Sequence, residues 1–269
     1  MQVSLNYILQ TLERKQIAIP GVTTNPNLSV SAAGEVAYYY ERGASSVAKG
    51  NLGAKMDFTS SGGKRVDIPM TNAIQIKAVL PHVNYATVSA DIVGDKVVQE
   101  SIEAANLHNT EFLAVLEDSE GAITGTTALS KTTVYSAIVD AIKEFKTLNK
   151  AKGMKPSAVV VGPTVAALLL QAPEFIRSSE RADGVVYEGL IGKVSGLDVV
   201  EAVDMDESTG KIDFIVMHYE GVAAPTNVNT LYVTDATAAG YPGGTLISGE
   251  IGYGFKLADK NLVLVRKHA

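Results

Sequence analysis

Few side chains in this sequence could carry chemistry, and their spacing is poor for it. Four histidines, His82, His108, His218 and His268, stand far apart and form no HExxH-type pair. None of the 269 residues is cysteine, which removes disulfides, thiolate metal sites and cysteine nucleophiles. Asp204, Asp206 and Glu207 begin like a calcium loop, but Gly210 falls too late and no closing glutamate follows. An acidic turn is expected there. The run Gly189-Leu-Ile-Gly-Lys-Val-Ser-Gly196 has neither the spacing of a phosphate loop nor a following helix, so it predicts a hairpin turn. There is no GxSxG nucleophile elbow, and no lysine lies in a clear apolar strand where a Schiff base could form. The residues therefore assign no catalytic, cofactor-binding or metal-binding site.

Composition points the same way. Hydrophobic residues make up 46% and charged residues 19%, ordinary values for a folded chain with a real core, in one large domain or two modest ones. The formal net charge is -6 and no segment reads as a basic stripe, so tight binding along a nucleic acid is not expected. A mildly acidic protein can still enclose DNA if it touches it little. Residues 1–16 carry no early basic cluster of the secretory kind. The longest apolar runs, Val159 to Val161 and Val165 to Leu170, are too short to span a bilayer. The expectation is a soluble protein made in a cytoplasm, with no membrane partner.

The positioning elements follow from periodicity. In residues 1–48, Leu5, Ile8, Leu9 and Leu12 share one helical face, then Pro20-Gly21, Asn25-Pro26 and Gly34 break the chain. That reads as an arm with short structured pieces. Residues 49–92 read as an extended hairpin. Ala54 to Phe58 leads into Ser60-Ser61-Gly62-Gly63, and Val66 and Ile68 alternate with Arg65 and Asp67 on the return. Ile74, Ile76 and Ala78 continue at strand period. So polar a hairpin has no second face to bury in its own molecule, and a neighbouring molecule is the expected cover.

Gly94-Asp95 predicts a helix cap, and Val98, Ile102, Ala105, Phe112 and Leu116 mark one face of a helix running to about Glu117, with Asn109 interrupting the stripe. A second helix is expected from near Ser130, burying Val134, Ile138, Ile142 and Phe145 and ending at Gly153. Lys143, Lys146, Lys150 and Lys152 suit its C-terminal end. Ala158 to Val161 predicts a buried strand, Pro163 the first turn of a third helix, and the remainder strands with tight turns. The fold class is α+β.

One short segment, Gly21-Val-Thr-Thr-Asn-Pro-Asn-Leu28, resembles the stretch after the first strand of transaldolases, Schiff-base enzymes built on a barrel. A barrel needs strands and helices alternating throughout, which residues 49–92 and 188–269 do not supply. Over Lys49 to Ala269 the order of segments is similar to the tailed-bacteriophage major capsid proteins of the Hong Kong 97-type fold. Residues 50–92 resemble that family's extended loop and Asp95 to Glu117 its spine helix. Lys155-Pro-Ser-Ala-Val-Val-Val-Gly-Pro163 and Gly189 to Val200 resemble parts of its axial domain. Ile251-Gly-Tyr-Gly-Phe-Lys-Leu-Ala-Asp-Lys-Asn-Leu-Val-Leu-Val265 resembles its returning peripheral strands.

That resemblance implies an N-terminal arm over 1–48, an extended hairpin loop over 49–92, a peripheral domain with the spine helix over 93–129 and 236–269, and an axial domain over 130–235. It implies a virion protein, assembled in the host bacterial cytoplasm, whose copies form hexamers and pentamers in an icosahedral shell. The shell encloses double-stranded DNA without sequence-specific contact. Lys64, Arg65 and Asp67 are the expected subunit-contact residues. No enzyme activity and no cofactor are implied. The arm is too short for the family's long removable scaffolding segment, so a separate scaffolding protein is expected, alongside a portal. No lysine–asparagine pair matches the covalent cross-link of some relatives, so none is expected. An encapsulin-type cellular shell of the same fold is the alternative in the same class.

Overall fold

A computed structural model of the chain describes residues 16–30, 36–41, 64–80, 92–119, 121–125, 128–172, 175–177, 190–207, 212–240 and 244–268. The expected helical face at Leu5 to Leu12, the strand Ala54 to Phe58, the turn at Ser60 to Gly63, and His82 lie outside these residues. In chain order the strands are β1 (Ser29–Val30), β2 (Val36–Glu41), β3 (Lys64–Pro69), β4 (Asn72–Leu80), β5 (Gly121–Gly125), β6 (Ala158–Val161), β7 (Ile176–Arg177) and β8 (Leu190–Val194). They continue as β9 (Leu197–Glu201), β10 (Ile212–Met217), β11 (Val222–Ala223), β12 (Thr226–Asp235), β13 (Thr245–Tyr253), β14 (Lys256–Leu257) and β15 (Val263–His268). The helices are α1 (Ile92–Glu117), α2 (Val134–Leu148) and α3 (Pro163–Leu170).

The largest sheet has seven strands in the order β5-β15-β10-β6-β9-β8-β7. Its central strands β6 and β10 are buried at every position, as an unbroken apolar run requires when both faces are covered. Val159, Val161, Phe214 and Val216 pack against α2 and α3. Val160, Ile215 and Met217 pack on the other face with Ile17, Ile19, Phe112 and Leu116. α2 buries Val134, Ile138, Ile142 and Phe145 as its spacing predicts, though it starts at Val134 and Ser130 belongs to the turn before it. Gly153, at φ 66, ends the short 3-10 extension Lys150–Lys152, a left-handed position that favours glycine. Pro163 opens α3. Across β10 and β15, Arg266 and Asp213 form a buried ion pair, with the guanidinium carbon 5.7 Å from the Phe214 ring centre.

A second sheet, β12-β13-β4, lies under the N-terminal half of α1. Ile74, Ile76, Ala78 and Leu80 alternate inward from β4 and meet Val97, Ala104 and Ala105. The same helix covers the seven-stranded sheet with Phe112, Leu113 and Leu116. At about 1.5 Å per residue its length is roughly 39 Å, enough to span both sheets. The buried stripe is Val97, Ser101, Ala104, Ala105, His108, Asn109, Phe112 and Leu116. Val98 and Ile102 are only half-buried, and Asp95 lies in the first turn instead of capping it.

Three expectations change. β4 does not belong to a protruding excursion: it pairs along its length with β13 and turns Ile74, Ile76, Ala78 and Leu80 into the molecule. β3 pairs with β2, from Val36↔Pro69 to Glu41↔Lys64, and the inward face of that ribbon buries Ala37, Tyr39 and Ile68 against Ala223. The ribbon therefore does have a second face to bury. Finally, strands expected together divide between sheets. β15 joins β10 and β5, whereas β12 and β13 form one ladder from Thr226↔Tyr253 to Asp235↔Thr245. Strand period tells which side chains face inward but not which strand is the neighbour.

Candidate functional site

The three residues expected at a subunit contact lie on the β2–β3 ribbon. Cross-strand partners share a face, so Tyr38↔Asp67 and Tyr40↔Arg65 place two tyrosines, an arginine and an aspartate on the outer side. The Arg65 guanidinium carbon stands 4.1 Å from the Tyr38 ring centre, and the Tyr38 and Tyr40 rings meet edge to face at 6.0 Å. Arg65 Nε donates to Asp67 Oδ1 at 2.7 Å within the same strand. That hydrogen bond raises the arginine pKa further above its usual value. The two charges thus satisfy each other within the molecule, while Lys64 is exposed at the far end of the strand. Tyr40 is 66% exposed.

The base of the ribbon is fixed. A Cβ on Gly254 would stand 2.6 Å from the Pro69 carbonyl oxygen, so only glycine lets the two backbones approach. Lys256 Nζ donates to the Asp67 carbonyl at 3.3 Å. The outer face of the ribbon thus combines two tyrosines with the charges of Arg65 and Asp67, next to the exposed Lys64 at its end.

The side chains with possible chemistry turn out to hold the fold. Glu207 accepts from the backbone N–H of Thr164 at 2.7 Å and of Val165 at 3.0 Å, capping the N-terminus of α3. Among the described residues no group of three histidine, aspartate or glutamate side chains could hold a metal ion. The glycine-rich run makes β8, a turn and β9, with Ser195 at φ 50 and Gly196 at φ 82, as a tight hairpin needs. His218 Nδ1 accepts from the Glu220 N–H at 3.1 Å. His268 closes β15. His108 is buried on α1, its Nε2 3.0 Å from Thr226 Oγ1 and its ring 4.8 Å from that of Phe255. Burial lowers its pKa from 6.5 to about 4.

In the segment Gly21 to Leu28, Thr23, Thr24 and Asn25 are buried. Thr23 Oγ1 donates to the Ile17 carbonyl at 2.6 Å and accepts from the Ile19 N–H at 2.7 Å. Asn25 N–H donates to the Val222 carbonyl at 2.9 Å, and Ser157 Oγ donates to the Val22 carbonyl at 2.6 Å. The described sheets are open and mostly antiparallel, so the barrel that a transaldolase needs is not formed. Sequence reasoning missed that this part of the arm is core. The signal was Ile17-Ala-Ile19 among polar neighbours, together with Asn109 inside an apolar helix stripe.

No family model matches the sequence, and no curated protein does. Solved structures do match. A chain from the capsid of the cyanophage P-SCSP1u aligns with TM-score 0.64 at 14% identity, over 89% of this chain and 85% of that one. A chain from the mature capsid of bacteriophage PhiM1 aligns with TM-score 0.60 at 15% identity, over 94% and 87%. The chain has the fold of phage capsid proteins. A capsid chain of an empty GTA particle has it too, with TM-score 0.63 at 13% identity over 92% of this chain and 88% of that one. The phage capsid fold is thus kept here with few side chains in common, because it needs patterned apolar faces more than particular residues. Among the described residues no helix is long and apolar enough to cross a membrane.

Proposed function

We propose that this chain is the major capsid protein of a tailed bacteriophage, and that its copies close an icosahedral shell around double-stranded DNA. The observation that carries this is the breadth of the match: the capsid fold accounts for 94% of this chain and 87% of the PhiM1 capsid chain. In this reading the seven-stranded sheet with α2 and α3 is the axial domain, and α1 with β4, β12 and β13 is the peripheral domain. The β2–β3 ribbon is the base of the extended loop, and residues 16–30 belong to the arm. The outer face of the ribbon, with Tyr40, Lys64, Arg65 and Asp67, meets a neighbouring subunit in hexamers and pentamers. Arg65 and Asp67 exchange their mutual pair for partners there, which is a small change because an exposed ion pair contributes only about 0–1 kcal/mol.

Assembly takes place in the bacterial cytoplasm with a separate scaffolding protein and a portal, and the product is a virion shell without catalytic activity. Full-length subunits in mature particles support the separate scaffold; a truncated N-terminus overturns it. A ladder of covalent oligomers on denaturing gels overturns the absence of a cross-link. The shell itself is tested by sedimentation of the purified protein. Multi-megadalton particles or hexamer-sized rings are expected, and a monomer or small oligomer at every salt and protein concentration contradicts the proposal.

A further inference from the structure

A groove of about 420 Å³ runs between α2 and the β8–β9 turn, lined by Val139, Ile142, Lys143, Lys146, Thr147, Lys150 and Ser195. Among the described residues its lining includes three lysines and no acidic side chain. The two acids of α2, Asp140 and Glu144, are not part of its lining. Among the described residues none of the three lysines is ion-paired, in contrast with Lys152, which pairs with Asp259, and Lys193, which lies 3.7 Å from Asp198. The helix dipole accounts for Lys146 and Lys150 near the last turn. Lys143 lies above that turn, so the dipole does not explain it.

We propose that this groove binds backbone phosphates of double-stranded DNA, a role that rests on the shell reading above. Lys143 and Lys150 are seven residues apart, roughly 10 Å along the axis, about the rise of three base pairs. Three flexible ammoniums at that spacing follow a strand of phosphates without reading bases. Thr147 Oγ1 already donates to the Lys143 carbonyl at 2.9 Å, so Ser195 is the neutral donor that faces the ligand. An acidic protein segment is the weaker fit. Of the two aliphatic lining residues Ile142 is almost wholly buried in the core, and little apolar surface is left for the anchor that a protein partner needs. The spacing of three and seven residues puts the lysines on one helix face, as the sequence already allows; the groove beside them depends on the distant β8–β9 turn.

The test titrates unassembled full-length protein with a fluorescent 20-base-pair duplex of arbitrary sequence at several salt concentrations. The wild type binds weakly, and log affinity falls with log salt at a slope of about -2.7 for three lysines. The triple variant K143Q/K146Q/K150Q binds about tenfold or more weakly with a slope near zero, while K131Q, outside the groove, is unchanged. All these side chains are exposed, so circular dichroism stays constant and the thermal midpoint falls only slightly, through the lost helix-dipole interaction. Equal binding by wild type and triple variant overturns the proposal. So does lysine-dependent binding of polyglutamate without binding of the duplex, which points to an acidic protein partner. Closed empty shells bind external duplex less than free subunits do; equal binding puts the groove on the outer surface and overturns the assignment to packaged DNA. Electron microscopy of the same samples keeps the two readings apart, because wild-type protein that binds duplex but never forms shells fails the shell reading alone.

Discussion

The side-chain oxygen of Asn109 accepts the backbone N–H of Ile17 at 2.9 Å, tying the long helix to a segment 92 residues earlier. Both groups are buried, so the bond holds the arm on the seven-stranded sheet where water cannot replace it. Asn109→Ala leaves that N–H without its acceptor. The expected loss is about 1–3 kcal/mol, read as a lower urea midpoint at constant slope, with faster hydrogen exchange at Ile17. An unchanged midpoint contradicts the anchoring role.

His108 makes a prediction about pH. Its folded-state pKa is lowered to about 4 by burial, against an ordinary 6.5. The folded protein therefore keeps the ring neutral where the unfolded chain takes up a proton. The stability associated with the neutral ring is full above pH 6.5 and is lost progressively as pH falls towards 4, by up to about 3 kcal/mol. Urea unfolding of wild type and His108→Gln between pH 7 and pH 4 separates this from the carboxylates. The difference between the two proteins should shift in favour of the variant as pH falls, and a pH-independent difference counts against the burial account.

Glu207 caps the N-terminus of α3. Glu207→Ala removes the acceptor for two N–H groups of α3 and should destabilise by about 1–2 kcal/mol. Millimolar calcium should leave the wild-type thermal midpoint where it is, because a ligand raises the midpoint only if the folded state binds it. A calcium-dependent rise reopens the metal reading.

The ribbon separates folding from assembly. Tyr40→Ala changes an outward-facing group and should leave subunit stability within about 0.5 kcal/mol, whereas Arg65→Glu also gives up the Asp67 pair and the Tyr38 contact and should be the more destabilising of the two. Both should lower the yield of particles and leave folded subunits in solution. Normal assembly of the double variant removes this face from the contact.

Much of the fold was legible where a pattern had one physical solution. The α2 face, the all-buried β6, Pro163 opening α3 and the Ser195-Gly196 turn were all readable, since local spacing and turn chemistry decide them. What was not legible depended on partners distant in sequence. Ile74 to Ala78 has the same period whether it forms a protruding hairpin or pairs with Thr245–Tyr253. Asn109 looked like an interruption because its partner Ile17 cannot be inferred from helical spacing. Arg65 and Asp67 were readable as surface charges two residues apart on one strand face, but the Tyr38 contact depends on the register with β2.

The central claim is that this chain builds a shell. Negative-stain electron microscopy of the purified full-length protein, across a range of salt and protein concentrations, tests it most directly. Closed shells, tubes or hexameric rings are the predicted result. A uniform small oligomer under every condition would contradict it.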